Sequence, residues 1–226
     1  MSLIVKICGL STEETLDAAL DAGADMIGLV FFPKSPRFVA PDRAATLAAR
    51  VKGRAEIVAL AVDMDDAGMT AIVDAVRPDW LQLHGRETPE RLAAVKARFG
   101  RRVMKALHVG EPADLAATAA YLPVADRLLL DAKPPRGAVL PGGNGAAFDW
   151  AIVGGFAPGV PWLLSGGLDP GNVGEALRIS GAPGVDVSSG IETAPGRKSP
   201  ELIRAFVAAA RRAAAGRGRT AERIAS

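Results

Sequence analysis

Cysteine, histidine and net charge are all scarce in this chain. Its 226 residues include one cysteine and two histidines, and the formal net charge is only +2. A single thiol excludes a disulfide within the chain and is typical of proteins from a reducing compartment. The small net charge gives no indication of nucleic acid as a partner. The two histidines and scattered carboxylates have no recognisable ligand spacing, which predicts no bound metal.

Long apolar runs are absent as well. No window comes near the roughly 18 consecutive apolar residues that a membrane helix needs, and no basic segment with a longer apolar stretch opens the chain as in a targeting signal. We therefore expect a cytoplasmic protein without membrane association. With 49% hydrophobic residues, the chain can bury a large core, as one α/β domain or two small ones.

Eight short apolar runs recur along the chain. They are too short for buried helices and are flanked by Gly, Pro or Asp, so they predict buried strands: Leu3–Ile7, Met26–Phe32, Glu56–Val62, Trp80–Leu83, Arg102–Leu107, Arg127–Leu130, Pro161–Leu164 and Gly184–Val187. Ala-rich segments with helical spacing lie between them. This alternation predicts a closed (β/α)8 TIM barrel, with an open doubly wound sheet as the alternative. No G-x-G-x-x-G motif follows the first run, which weakens a dinucleotide-binding version.

Capping residues mark several predicted helix starts. Ser11 with Glu14 matches a capping box, and Gly23 suits the position after a helix end. A capping side chain precedes a proline in three further places: Thr88-Pro89, Asp169-Pro170 and Ser199-Pro200. The helix after Ser199 is expected to bury Leu202, Phe206 and Ala210.

No linker divides the chain, so residues 1–210 are predicted to form one catalytic domain. Residues 211–226 are rich in Arg, Ala and Gly. We expect this tail to fray rather than to contact nucleic acid.

Cys8 ends the first predicted strand and is followed by Gly9. In a (β/α)8 barrel the carboxyl ends of all strands share one rim, where catalysis takes place. Cys8 is therefore a candidate base or nucleophile, although a free cysteine taken alone is more often a small core residue. Lys6 faces the same way along the strand, and its charge is expected to favour the thiolate.

Asp131 ends the sixth predicted strand and is the candidate acid. The preceding leucines predict a poorly hydrated site, which favours the neutral, proton-donating carboxyl. The alternatives are a helix cap and an ion pair with Lys133.

Two glycine-containing loops predict a phosphate site. Gly166 and Gly167 follow the seventh strand, and Ser188, Ser189 and Gly190 follow the eighth. Barrels often bind phosphate with these loops, because glycine lets backbone N–H groups approach the oxygens. Each loop alone is also consistent with a tight turn.

Two further side chains are candidates for substrate binding. Arg37 lies in a proline-containing loop after the second strand and suits bidentate carboxylate recognition, or is a solvated arginine. His84 follows the fourth strand and either bonds a ligand or caps the strand end. His108 is interpreted as structural.

Together these motifs resemble the phosphoribosylanthranilate isomerase family of tryptophan biosynthesis, to about Ala209. The resemblance rests on several motifs in the right order: Lys6-Ile7-Cys8-Gly9, Gly28-Leu29-Val30-Phe31, Ser35-Pro36-Arg37, Leu81-Gln82-Leu83-His84-Gly85, Leu130-Asp131, Gly142-Gly143-Asn144-Gly145, Phe148-Asp149-Trp150, Leu164-Ser165-Gly166-Gly167-Leu168 and Asp186-Val187-Ser188-Ser189-Gly190-Ile191-Glu192.

The resemblance implies a cofactor-free Amadori rearrangement of N-(5-phosphoribosyl)anthranilate to 1-(2-carboxyphenylamino)-1-deoxyribulose 5-phosphate. It implies that Asp131 protonates the ribose ring oxygen and that Cys8 takes the proton from C2. Arg37 would hold the anthranilate carboxylate, Asp186 would meet the sugar or orient the site, and the two glycine loops would hold the phosphate. The expected partner is thus a small phosphorylated molecule, bound by a monomer or a homodimer.

The loop after the sixth strand departs from the family pattern. Thr and then Lys often stand there, where this chain has Asn144 and Ala146, so a side-chain contribution from this loop is in doubt. Two other functions stay open: a different phosphosugar isomerase, and a non-catalytic barrel that binds a phosphorylated metabolite.

Overall fold

The fold is a closed barrel of eight parallel strands, confirming the predicted (β/α)8 architecture. The computed structural model describes residues 2–134, 137, 140, 142–143, 145 and 147–224, with side chains to residue 216. Neighbouring strands follow chain order, and β1 closes the barrel by pairing with β8. The strands are β1 Ile4–Cys8, β2 Met26–Val30, β3 Glu56–Ala61, β4 Trp80–Leu83, β5 Arg102–Val109, β6 Arg127–Ala132, β7 Trp162–Leu164 and β8 Gly184–Val187.

Helices connect most of the strands on the outside. They are α1 Glu13–Asp21, α2 Pro41–Val51, α3 Asp66–Val76, α4 Pro89–Phe99, α5 Val173–Ser180 and α6 Pro200–Ile224. Short 3-10 helices at Pro112–Ala120 and Trp150–Val153 lie between β5 and β6 and between β6 and β7. After β8 the chain forms a 3-10 turn, Ser189–Ile191, and a small hairpin of β9 Glu192–Ala194 and β10 Arg197–Lys198.

Two of the predicted helix starts are confirmed and two are wrong. Thr88 and Ser199 cap α4 and α6 as expected. The cap of α1 is Thr12 rather than Ser11, since the Thr12 hydroxyl accepts the Thr15 N–H at 3.3 Å. Asp169 does not start a helix, because its carboxylate closes a turn onto the N–H groups of the next residues and α5 begins only at Val173.

The core has two principal parts, on the two sides of the barrel wall. The larger lies between the strands and the helices, where α6 contributes the buried side chains of Ile203, Phe206 and Val207. The smaller fills the lower barrel interior, and includes Met26, Trp80 and other apolar side chains. Polar side chains occupy the interior above it, so the upper barrel is left for chemistry rather than for packing.

Helix α6 continues to Ile224, past the point where the sequence predicts fraying. Arg211 is held by the Asp25 carboxylate at 2.7 Å and by the Leu3 and Gly23 carbonyls. The chain is therefore helical beyond Arg211, and the assignment of residues 1–210 as one domain stays a prediction. Within the described helices, no segment is long and apolar enough to cross a membrane.

Candidate active site

A cavity opens at the carboxyl ends of the barrel strands. Six of the barrel strands, or the loops that follow them, bring sequence-predicted candidates to this cavity. The residues that line it are Cys8, Arg37, His84, Asp131, Gly166, Gly167, Asp186, Ser188 and Ser189. Residues from β1 to β8 meet here because parallel strands end at a common rim. Asn144 and Ala146, the two residues of the loop after β6 that differ from the family pattern, lie outside the described residues.

Cys8 is a buried thiol at the top of β1, with 4% of its surface exposed. Its register partner on β2 is Gly28. A methyl group on Gly28 would lie 2.8 Å from the Cys8 sulfur, which is closer than atoms pack. The glycine therefore makes the space that the thiol occupies.

A buried ion pair lies behind the thiol. Lys6 Nζ donates to Asp186 Oδ1 at 2.7 Å, and both residues are buried. They are register partners on β1 and β8, so Asp186 fixes the ammonium group below Cys8. Ser165 adds a long hydrogen bond of 3.4 Å to the other Asp186 oxygen.

The net shift of the Cys8 pKa is opposite in direction to the effect of Lys6 alone. Burial raises the pKa of the Cys8 thiol, and the Asp186 carboxylate acts in the same direction. Lys6 and Lys198 pull this pKa down, as predicted for Lys6, but they do not outweigh burial. In the free protein this balance favours the neutral thiol of Cys8 over the thiolate.

Asp131 faces the cavity from β6 and is 4% exposed. Its Oδ1 accepts the N–H of Ala132 at 3.0 Å, and its Oδ2 lies 3.3 Å from His84 Nε2. The predicted alternatives do not apply: Asp131 lies within a strand, and the Lys133 ammonium pairs with Asp114 at 2.7 Å. The carboxyl is thus directed toward the cavity.

His84 is positioned by Gln82, whose side-chain amide lies 3.1 Å from His84 Nδ1. A methyl group on Gly142 would lie 2.5 Å from Asp131 Oδ2 and 2.8 Å from His84 Nε2. Gly142 therefore packs directly against the Asp131 carboxyl and the His84 ring.

Arg37 is buried and paired, which corrects the solvated alternative. Its Nε and Nη2 groups donate to the two carboxylate oxygens of Glu192, at 2.7 and 2.9 Å. Nη2 also donates to the Gly143 carbonyl at 3.1 Å. The described residues offer Nη1 no acceptor, and the Arg37 side chain lines the cavity.

The two loops predicted to bind phosphate lie side by side. Gly166 and Gly167 have φ values of +87° and +63°, which glycine adopts without strain. Their backbone N–H groups donate to no acceptor in the described part of the chain. Gly190 does not line the cavity: a methyl group there would lie 1.9 Å from the Leu168 carbonyl oxygen. Its visible role is to let the two loops touch, and its contact with phosphate stays a prediction.

His108, interpreted from sequence as structural, lies beside His84 and Asp131. Its ring centroid is 5.8 Å from that of His84. One potential ligand atom from each of His84, His108 and Asp131 lies within 4.8 Å of the others. Sequence spacing could not reveal this cluster, because its members come from three strands.

Sequence reasoning also missed Glu192 and Lys198. Glu192 is only the last residue of the motif that begins at Asp186, with no role predicted for it. Lys198 lies on β10 with 7% of its surface exposed. Both lie in a short polar hairpin after the last barrel strand, where charged residues are ordinarily solvated. No local pattern distinguishes them from surface residues.

The fold and the cavity define the class of this protein: a TIM-barrel enzyme with a buried thiol and a buried carboxyl in one cavity at the carboxyl ends of its strands. The chain belongs to the N-(5′-phosphoribosyl)anthranilate isomerase family, whose model matches residues 5–209.

Individual relatives agree with this assignment. An N-(5′-phosphoribosyl)anthranilate isomerase from Azorhizobium caulinodans is 60% identical over 215 residues, covering 95% of this chain and 94% of its own. The crystal structure of phosphoribosyl anthranilate isomerase from Thermotoga maritima has a TM-score of 0.83 at 31% identity, with 92% and 98% of the two chains covered. A further isomerase structure holds reduced 1-(o-carboxyphenylamino)-1-deoxyribulose 5-phosphate, with a TM-score of 0.80 at 30% identity and the same coverage.

Proposed function

We propose that this protein converts N-(5′-phosphoribosyl)anthranilate to 1-(2-carboxyphenylamino)-1-deoxyribulose 5-phosphate, with Asp131 as general acid and Cys8 as general base. One observation carries the assignment of roles: these two residues, from β1 and β6, line the same cavity. Family membership supports the reaction, and the buried positions of the two groups support their direct participation.

The substrate has an anion at each end, and the cavity offers a matching group for each. Arg37, a cation that lines the cavity, binds the anthranilate carboxylate. Beside it, an apolar wall suits the aromatic ring: Val30, Phe32, Leu60 and Val62. At the other end, Gly166, Gly167, Ser188 and Ser189 supply backbone N–H donors for the phosphate, and Ser189 adds its hydroxyl.

Proton transfer begins at the acid. Asp131 donates a proton to the ribose ring oxygen, the C1–O bond breaks, and the nitrogen lone pair forms a protonated Schiff base. His84, 3.3 Å from the Asp131 carboxyl, is placed to bond the opened sugar or to orient the acid. Each positioned proton-transfer group typically contributes about 10²–10⁴ in rate.

Cys8, after releasing its thiol proton to solvent, removes the proton from C2 as the thiolate. The electron pair of the C2–H bond forms a C1–C2 double bond, and the iminium nitrogen is neutralised to give an enolamine. Transfer of the hydroxyl proton of this enol to C1 gives the ketone. The substrate has then gained one proton from Asp131 and lost one to Cys8, and proton exchange with solvent returns both side chains to their starting states. Lys6 lies close enough to stabilise the thiolate as it forms, while Asp186 holds Lys6 in place.

No cofactor enters this sequence, since every bond change is a proton transfer or an electron shift within the substrate. The expectation of no bound metal stays a prediction, as does the choice between monomer and homodimer. A cytoplasmic location is also still a prediction.

The test is turnover by the purified wild-type protein, followed by the fluorescence change as phosphoribosylanthranilate is consumed. Turnover at an enzymatic rate is expected. A protein that binds the substrate or its product analogue without turning it over would overturn the proposal and favour the non-catalytic binding barrel.

A further inference from the structure

We propose that Lys198 is a positioning residue for this reaction. It offsets the negative charge of Glu192, so that the group of Arg37, Glu192 and Lys198 keeps a net positive charge that attracts the substrate carboxylate. It also holds the Ser188 loop in place. The inference deepens the proposed function and depends on Arg37 as the carboxylate anchor.

Lys198 is fully engaged although it is a long, charged side chain. Only 1% of the side chain is exposed. Its ammonium group donates three hydrogen bonds: to the Ser188 carbonyl at 2.8 Å, to the Ser188 hydroxyl at 3.0 Å and to Glu192 Oε1 at 2.8 Å. An ammonium group has three protons to donate, and here each one is used. This geometry is that of a fixed tie between β10 and the end of β8.

Glu192 joins this tie to the anthranilate end of the cavity. Its Oε1 accepts from both Lys198 and Arg37, and its Oε2 accepts from Arg37. Although burial acts to raise it, Arg37 and Lys198 hold the pKa of Glu192 below its ordinary value. The carboxylate is therefore ionised and shared between two cations.

The charge sum explains why a second cation is needed. Arg37 and Glu192 alone form a neutral pair, and a neutral pair attracts an incoming carboxylate weakly. With Lys198 the three buried groups carry a net charge of +1. Because the three side chains are almost fully buried, this net charge acts more strongly on a ligand than it would in solvent. Lys198 thus restores the attraction for the substrate carboxylate that Glu192 would cancel. The bidentate pair of Arg37 and Glu192 still fixes the plane of the guanidinium group.

Lys198 also acts on the catalytic thiol. The charged groups that face Cys8 from neighbouring elements are Lys6 on β1, Asp186 on β8 and Lys198 on β10, and both lysines lower the thiol pKa. Burial lowers the pKa of Lys198 itself to about 8. The Ser188 hydroxyl, held by Lys198, donates to the Cys8 carbonyl at 3.3 Å. Lys198 therefore contacts Ser188 and Glu192 directly, and through these two partners it is linked to the Cys8 strand and to Arg37.

The decisive test is a double-mutant cycle that removes the charges of Lys198 and Glu192, singly and together. Lys198→Met is expected to raise KM by about 10- to 100-fold, since a charged hydrogen-bond partner is lost and Glu192 then cancels Arg37. In the double variant Glu192→Gln/Lys198→Met the net charge returns to +1, and KM is expected to recover by about tenfold. Arg197→Met, at the exposed neighbour on the same strand, is the matched control and should behave as wild type.

A purely structural role predicts the opposite order. In that case the double variant would be as impaired as Lys198→Met or worse, and the proposal would be overturned. Thermal unfolding of each variant, followed by circular dichroism, checks that the fold is retained. If Lys198→Met does not fold, KM of the double variant is compared with KM of Glu192→Gln and of wild type. A KM of the double variant as high as that of Arg37→Ala would then overturn the proposal.

A second readout needs no turnover. Cys8 is the only cysteine in the chain, so its alkylation by iodoacetamide reports one site. In Lys198→Met the rise of the alkylation rate is expected to move to higher pH than in wild type. If the pH dependence of the alkylation rate were the same in Lys198→Met and wild type, the claimed effect of Lys198 on the Cys8 thiol would be refuted. Because this measurement uses the free protein, it separates a failure of this inference from a failure of the proposed reaction.

Discussion

Substitution of Gly28 by alanine tests the placement of the thiol without touching a catalytic group. Gly28 has no positive φ, so its backbone tolerates alanine. The added methyl group would lie 2.8 Å from the Cys8 sulfur, 3.1 Å from its Cα and 3.3 Å from its Cβ. Since heavy atoms pack at about 3.5–4.0 Å, the thiol or its strand must shift by about 1 Å.

The size of the effect follows from that displacement. A misplacement of about 1 Å typically costs about a hundredfold in rate, so we expect kcat of Gly28→Ala to fall by that factor. KM should change little, because the anchors at both ends of the substrate are untouched. Overpacking of this kind costs about 1–3 kcal/mol of unfolding free energy.

The measurement is kcat and KM from the fluorescence assay, with urea unfolding of the same sample. Gly174→Ala in α5 is the matched control, since its methyl group would meet only Ala213 at an ordinary 3.8 Å. That variant should keep wild-type kcat. Gly28→Ala with full kcat and a folded core would refute the claim that the sulfur position is critical.

Three further outcomes are expected. Arg37→Ala should mainly raise KM, because it removes the carboxylate anchor; an unchanged KM in substrate-saturation curves would rule that anchor out. Since burial raises the pKa of Cys8, alkylation of the free wild-type protein should be slow at pH 7 and rise only above the ordinary thiol range, whereas rapid alkylation at pH 7 would show a preformed thiolate. A chelator should leave kcat unchanged despite the cluster of His84, His108 and Asp131, and a loss of activity restored by added metal would contradict the cofactor-free reaction.

The strand order and most of the site could be predicted from sequence because both depend on local patterns. Short apolar runs bounded by Gly, Pro or Asp indicate buried strands, and barrel closure brings their carboxyl ends together. Cys8 and Asp131 were identified as strand-end residues for this reason. The cap at Thr12 was missed because Ser11 offers the same chemistry one residue earlier, and only the backbone geometry distinguishes them.

Long-range pairing was not predictable. The partner of Arg37 is Glu192, on a hairpin more than a hundred residues later, and nothing in either local sequence specifies the other. The raised pKa of Cys8 could not be predicted for a related reason. Lys6 is visible two residues away, whereas burial and the Asp186 charge arise only when β8 closes the barrel on β1.

The most direct test of the central claim is kcat for Cys8→Ala and Asp131→Asn, measured side by side in the fluorescence assay. We predict that each loses at least about a hundredfold, with KM within a few-fold of wild type. Full kcat in either folded variant would contradict the assignment of that residue as base or acid.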